Sequence, residues 1–177
     1  MKILLLSMPD SFEHMPEVVV RMPNGALSSL AGNVDPHHVI QIADLILVQR
    51  QVRETVERIV GEMKPDVVGL SIMTFQRETA RKIIALIREL HPPVQIVVGG
   101  YDPSFAREAY MEMNVDYIVR GEGEITFRDD YFCVARHPTA NSGKRQRNPH
   151  PAVLPLTCRF CLLPDVLKKQ PIFSKSR

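Results

Sequence analysis

The chain has 177 residues, 45% of them apolar, and a formal net charge of +2. That is one domain, or one domain with a tail, large enough to bury a core without staples. Three cysteines confined to the last third do not make a disulfide framework, and no stretch approaches the roughly 18–20 apolar residues of a membrane helix. The expected location is the cytoplasm.

In chain order, residues 2–7 read as a first strand that ends at Ser7-Met8-Pro9-Asp10. A long irregular connection follows, through Phe12, His14 and Pro16 to Pro23; a loop of that length in a compact unit is more often functional than idle. Residues 26–31 predict a short helix closed by Gly32-Asn33 in a left-handed stop. Residues 38–42 predict the second strand, ending near Asp44. In the next helix Val52, Val56, Ile59, Val60 and Met63 form one apolar stripe, with Arg53–Glu57 and Glu54–Arg58 spaced to pair on the outer face. Lys64-Pro65 stops it and the chain enters the third strand, Asp66-Val-Val-Gly-Leu-Ser-Ile-Met-Thr74.

The third helix carries Ala80, Ile83, Ile84, Ile87 and Leu90 inward, with Arg81, Lys82 and Arg88 outward, and breaks at His91-Pro92-Pro93. The fourth strand, Gln95-Ile-Val-Val-Gly-Gly100, leads to Asp102-Pro103, an N-cap followed by proline at the first helical position. Ala106, Ala109, Tyr110 and Met113 make that helix's inner side. The fifth strand is residues 115–120, running into Arg120-Gly121-Glu122-Gly123-Glu124, and Ile125-Thr-Phe-Arg128 reads as the first turn of a further helix. Fully apolar strands alternating with amphipathic helices predict an α/β fold, a doubly wound five-stranded parallel sheet in three α/β/α layers.

A composition boundary falls near Arg128. Residues 1–128 hold 13 Lys+Arg against 17 Asp+Glu, while residues 129–177 hold 9 against 3 and carry 6 of the 14 prolines. The expectation is one domain over 1–128 and an irregular, mostly disordered basic tail over 129–177. The cluster Lys144-Arg145-Gln-Arg147 lacks interleaved aromatics, so nucleic-acid binding is not expected. If the fifth strand stays uncovered, its edge and apolar face invite self-association.

In an open parallel sheet the ligand crevice lies beyond the carboxyl ends of the strands. Ser71, Met73 and Thr74 fall there, with hydroxyls able to bond a ligand or merely to start a helix. Gly99-Gly100 let backbone approach a bulky ligand closely, though a tight turn uses glycine as readily. Tyr101 beyond them can pack on a planar ligand or cover the domain edge, and the Asp102 cap would leave a helix N-terminus suited to an anionic group. In Arg120-Gly121-Glu122-Gly123-Glu124 the glycines free the backbone while the charged groups can bond amides or ribose hydroxyls; a solvated loop is the bland alternative. No G-x-G-x-x-G follows the first strand, no G-x-x-x-x-G-K-[ST] exists, and the acidic positions of a phosphoacceptor receiver are absent. His37-His38 reads as a solvated turn. Cys158-Arg-Phe-Cys161 has chelating spacing but supplies only half a four-ligand site, so these two cysteines are weak metal candidates.

Taken together, Lys2-Ile-Leu-Leu-Leu6, Lys64-Pro-Asp-Val-Val-Gly-Leu-Ser71, Val97-Val-Gly-Gly100 with Pro103, and Val115-Asp-Tyr-Ile-Val-Arg-Gly-Glu-Gly-Glu124 resemble the N-terminal cobalamin-binding domain of radical SAM enzymes, of the anaerobic magnesium-protoporphyrin ester cyclase and methyltransferase type. The resemblance covers residues 1–128. It implies a Rossmann-like (flavodoxin-like) domain with the corrin over the C-terminal sheet edge. The cobalamin nucleotide tail would enter near Ser71, Thr74 and Gly99-Gly100, and the Gly121–Glu124 loop would border it. The D-x-H-x-x-G motif that supplies a cobalt-ligating histidine in many cobalamin modules is matched neither by Asp10-Ser-Phe-Glu-His14 nor by Asp35-Pro-His37, so no protein ligand to cobalt is expected. The family's C-x-x-x-C-x-x-C holds a [4Fe–4S] cluster and works with S-adenosylmethionine. Here Cys158 and Cys161 match its last two cysteines, position 154 is Leu, and sixteen residues follow Cys161. Cluster and S-adenosylmethionine are therefore expected only in the full-length family, and this chain reads as a truncated or frame-disrupted member, not catalytic alone. The alternative is a degenerate Rossmann-like domain that binds no corrin and serves as a structural or interaction unit.

Overall fold

The apolar runs pair side by side because neither of their faces tolerates water. In the computed structural model, which describes residues 1–12, 24–120, 123–125 and 152–154, β1 (Lys2–Ser7), β2 (Val39–Asp44), β3 (Val67–Ser71), β4 (Gln95–Gly99), β5 (Tyr117–Val119) and β6 (Ala152–Leu154) form one sheet. The order is β2-β1-β3-β4-β5-β6 and every pairing is parallel. Its first five strands follow the flavodoxin-like order, so the fold class is as expected.

Alternation along each strand builds two cores. Leu4, Leu6, Val68, Leu70, Ile96, Val98 and Ile118 face α2 (Val52–Met63), α3 (Arg77–Leu90) and α5 (Arg107–Met111) in the larger one. Ile3, Leu5, Val67, Val97 and Val119 face α1 (Gly25–Asn33) in the smaller one. On α3 the fully buried Ile83, Ile84 and Ile87 each contribute about 1.5–3 kcal/mol of transfer free energy.

Local rules account for most of the ends. Asn24 caps α1, its side chain accepting from Leu27 N–H at 3.3 Å. Lys64 adopts φ 47° and closes α2, its N–H bonded to the Val60 carbonyl. A 3₁₀ stretch, Leu45–Gln51, leads into α2 with Asp44 as its cap.

Several sequence expectations are corrected. Gly32-Asn33 makes no left-handed stop: α1 runs on through Asn33 into extended Val34, φ −85° and ψ 145°. Arg58 pairs with Glu62 at 3.4 Å rather than with Glu54, while the expected Arg53–Glu57 pair stands at 3.7 Å. Arg88 is not outward. Only 15% of its side chain is exposed, and it bonds the carbonyls of Val94 and Asn114 and the Asp116 carboxylate, clamping the N-terminal ends of β4 and β5. The helix after Asp102 is two, α4 (Tyr101–Phe105) and α5, broken at Ala106. Its cap is Gly100, not Asp102. The edge of β5 is not uncovered, because β6 pairs with it over Tyr117–Val119. That strand lies in the segment expected to be irregular. His14, Cys133, Cys158, Cys161 and the basic cluster lie outside the described residues.

A slot under the C-terminal rim

The two faces of the sheet differ where the strands end. On the α1 face, register puts Leu5, Gly69, Val97 and Tyr117 in one rung, and Ser7, Ser71 and Gly99 in the next. Three neighbouring positions, Gly69, Ser71 and Gly99, therefore carry almost no side chain, whereas on the other face the same strands present Val68, Leu70 and Val98. The hollow is a cavity of about 360 Å³. Gly69, Ser71, Gly99, Leu5, Val97 and Val119 form its floor; Ala26, Leu27 and Leu30 of α1 and Gly123 and Glu124 of α6 (Gly123–Ile125) close it over. The size falls within the roughly 300–1,000 Å³ of small-molecule sites.

Two of these glycines stand close to leucine side chains of the slot. A methyl group on Gly69 would lie 2.8 Å from Leu5 Cδ2, and one on Gly123 would lie 3.2 Å from Leu30 Cδ2. Gly100 goes further. With φ 101° and ψ −164° it occupies a region essentially closed to other residues, and its Cβ would sit 2.8 and 2.9 Å from the Ile72 nitrogen and oxygen. The turn is locked by Ile72 N–H donating to the Gly99 carbonyl at 2.9 Å and Asp102 N–H donating to the Ile72 carbonyl at 3.1 Å.

Behind the turn, Asp102 is buried, its carboxylate held by Arg77 in a two-pronged contact at 2.6 and 2.7 Å and by the Tyr110 hydroxyl at 2.5 Å. The Thr74 hydroxyl also bonds it. The Arg77 hydrogen bonds above all hold the Asp102 carboxyl below its ordinary range, against the opposing effect of burial. Burial, with the Asp102 carboxylate second, pushes the Tyr110 hydroxyl up. The knot ties the β3–α3 and β4–α4 connections together, so the expected anion-binding helix end is absent: its carboxylate is turned inward on a five-residue helix.

Of the residues singled out in the sequence, Ser71, Gly99, Gly100, Gly123 and Glu124 come together around the slot. Met73 and Tyr101 do not line it; they stand on the rim, 46% and 58% exposed. Thr74 points to Asp102, and Pro103 is buried in α4. Arg120 donates to the Ser104 carbonyl at 3.3 Å. Gly121 and Glu122 lie outside the described residues. The sequence reading missed Leu5, Gly69, Val97 and Val119 of the floor and all of the α1 wall. Only Gly69 left a signal, as the single glycine inside an apolar strand. Among the described residues no group of acidic, histidine or cysteine side chains could hold a metal, and no helix is long and apolar enough to cross a membrane.

Known proteins resemble this chain in sequence and in fold. An uncharacterized methyltransferase of Pyrococcus horikoshii is 30% identical over 131 residues, 73% of this chain and 28% of its own length. The anaerobic magnesium-protoporphyrin IX monomethyl ester cyclase of Rubrivivax gelatinosus is 30% identical over 112 residues, 55% of this chain and 20% of its own. Among solved structures, the radical S-adenosylmethionine methyltransferase TsrM of Kitasatospora setae, with cobalamin and a [4Fe-4S] cluster bound, superposes with a TM-score of 0.61 at 20% identity, over 76% of this chain and 24% of that one. The cobalamin-dependent enzyme OxsB with aqua-cobalamin bound gives 0.62 at 20% identity, over 76% and 19%. The chain thus spans between 19% and 28% of these proteins' lengths. The B12 binding domain model matches residues 10–129, the stretch that builds β2 to β5, the slot floor on β3 and β4 and both of its walls, and on that match the chain belongs to the B12 binding domain family.

Proposed function

We propose that this chain is a cobalamin-binding module, its domain spanning residues 1–128, which holds the cofactor for methyl transfer or radical chemistry carried out by a catalytic domain outside it. The observation that carries the reading is the slot: an apolar hollow at the C-terminal rim of a B12-family sheet, made by Gly69, Ser71 and Gly99 where the opposite face is full. Its residues fit the nucleotide tail of a corrinoid. Ser71, Gly99 and Gly100 would lie along the tail, with Gly123 and Glu124 of the Gly121–Glu124 loop bordering it. Met73 and Tyr101 on the exposed rim would meet the ring, and Thr74, Pro103 and Arg120 would support that rim from behind. When bound, the cobalt centre supplies a carrier for a methyl group or an electron.

The chain's part is to bind and orient. No described side chain is assigned as acid, base or nucleophile, and no described histidine as a cobalt ligand: His37 and His38 sit just before β2, at the opposite end of the strands. An iron–sulfur cluster and S-adenosylmethionine would be held outside this chain.

The test is retention of colour. After incubation with hydroxocobalamin and desalting, the chain is expected to keep corrin absorbance, and Gly99→Leu to lose it. A methyl group at Gly99 meets Val119 Cβ only at an ordinary 3.5 Å, so the added side chain fills the slot without breaking the fold, which circular dichroism would check. A colourless parent chain, or a Gly99→Leu variant that retains as much corrin, overturns the assignment and favours a domain that binds no corrin.

A further inference from the structure

A corrinoid's nucleotide tail ends in a flat two-ring base, and that base differs among corrinoids. Cobalamin carries 5,6-dimethylbenzimidazole, largely apolar; others carry a purine such as adenine, with an exocyclic amine and further ring nitrogens. The two are close in size, so a slot of about 360 Å³ cannot separate them by volume. It can separate them by polarity.

The walls offer a base almost nothing to bond. Leu5, Val97 and Val119 below and Leu27 and Leu30 above are aliphatic. The backbone at the floor is already committed: Gly99 carbonyl accepts from Ile72 N–H at 2.9 Å, Gly100 carbonyl accepts from Ser104 Oγ at 2.8 Å, and β3 and β4 pair with each other. Among the described residues, what remains is one hydroxyl, Ser71, and the half-buried carboxylate of Glu124 on the three-residue α6 at the wall. One hydroxyl can serve one ring nitrogen. It cannot also serve the remaining ring nitrogens of a purine, whose amine alone has an acceptor in Glu124, and a polar group buried without a partner carries a desolvation penalty that the apolar base does not incur.

Resting on the reading of the slot as the nucleotide-tail site, we infer that it is selective for corrinoids with an apolar benzimidazole-type base over those with a purine base, through the aliphatic wall of Leu5, Leu27, Leu30, Val97 and Val119.

Dissociation constants measured by ultrafiltration and visible absorbance would decide it, with three ligands: cobalamin, its adenine-based counterpart, and cobinamide, which lacks the nucleotide. Cobalamin is expected to bind at least about tenfold more tightly than either, a difference of about 1.4 kcal/mol. Leu30→Gln, which adds an amide to the wall at similar length, is expected to bring the adenine form toward parity with cobalamin. Equal affinity for the two base-bearing corrinoids, with cobinamide weaker, overturns the selectivity while leaving the slot as the tail site. Cobinamide binding as tightly as cobalamin overturns the slot's role in either. Failure to bind any of the three removes the underlying reading as well. A Glu124→Gln variant guards against purine recognition by the carboxylate: a loss of adenine-form affinity there would also overturn the inference.

Discussion

Gly100 offers the sharpest test of the rim geometry. Replacing it with alanine forces an L-residue into φ 101°, ψ −164°, at a strain of about 1–3 kcal/mol. The new methyl group would also sit 2.8 and 2.9 Å from the Ile72 nitrogen and oxygen. Those atoms cannot retreat freely, since each is in a backbone hydrogen bond, to Gly99 and Asp102 respectively; relief by breaking one adds about 0.5–1.5 kcal/mol. The expected loss is about 2–4 kcal/mol, a large share of the roughly 5–15 kcal/mol of a typical domain. Urea unfolding of Gly100→Ala beside Gly61→Ala would measure it. Gly61 lies in α2 with nothing within 4 Å of an added methyl group, so there the change should stabilise by about 0.5–1 kcal/mol. If Gly100→Ala costs less than about 1 kcal/mol at an unchanged denaturant slope, the reasoning about the turn is wrong.

Three further outcomes follow from features away from the slot. Asp102→Asn should cost about 1–3 kcal/mol at neutral pH. Because the folded-state pKa of Asp102 lies below its ordinary 3.8, its contribution is complete above that value and fades as pH falls toward the folded one. The stability gap between parent and variant should therefore shrink on acidification below about pH 4, as thermal melts across pH would show. Lys64→Gly should stabilise by about 1 kcal/mol by removing an L-residue from φ 47°, read by the same melts. Val153→Pro, by removing a ladder donor from β6, should expose the β5 edge and give concentration-dependent association in sedimentation velocity, which the parent chain should not show.

The sheet's class and the helices on its larger core were legible because they depend on short-range pattern. Val52, Val56, Ile59 and Val60 share one side of α2 whatever lies opposite, and the burial of Ile83, Ile84 and Ile87 on α3 follows from the same spacing. The glycines at 99, 100 and 123 were legible as small residues at strand ends, though only Gly100, at φ 101°, closes its position to other residues. The slot itself was not, since it exists only when Gly69 of β3 is registered beside Leu5 and Val97, and Ser71 beside Ser7 and Gly99. Such cross-strand alignment leaves no period in the chain. Asp102 was misread for a related reason. Asp-Pro is a common opening for a helix, but the carboxylate finds Arg77, 25 residues back, and Tyr110, eight ahead, and these contacts outweigh the local preference. β6 escaped notice because three residues are too few to show alternation.

The strict parity of β3 and β4 separates two properties that usually trade against each other. Positions 69, 71, 97 and 99 line the slot; positions 68, 70, 96 and 98 hold the opposite interior together. A redesign for a bulkier or more polar guest can therefore work through the first set alone, leaving the second as an untouched keel. In a protein whose berth was carved from its main interior, the same redesign would weaken the hull.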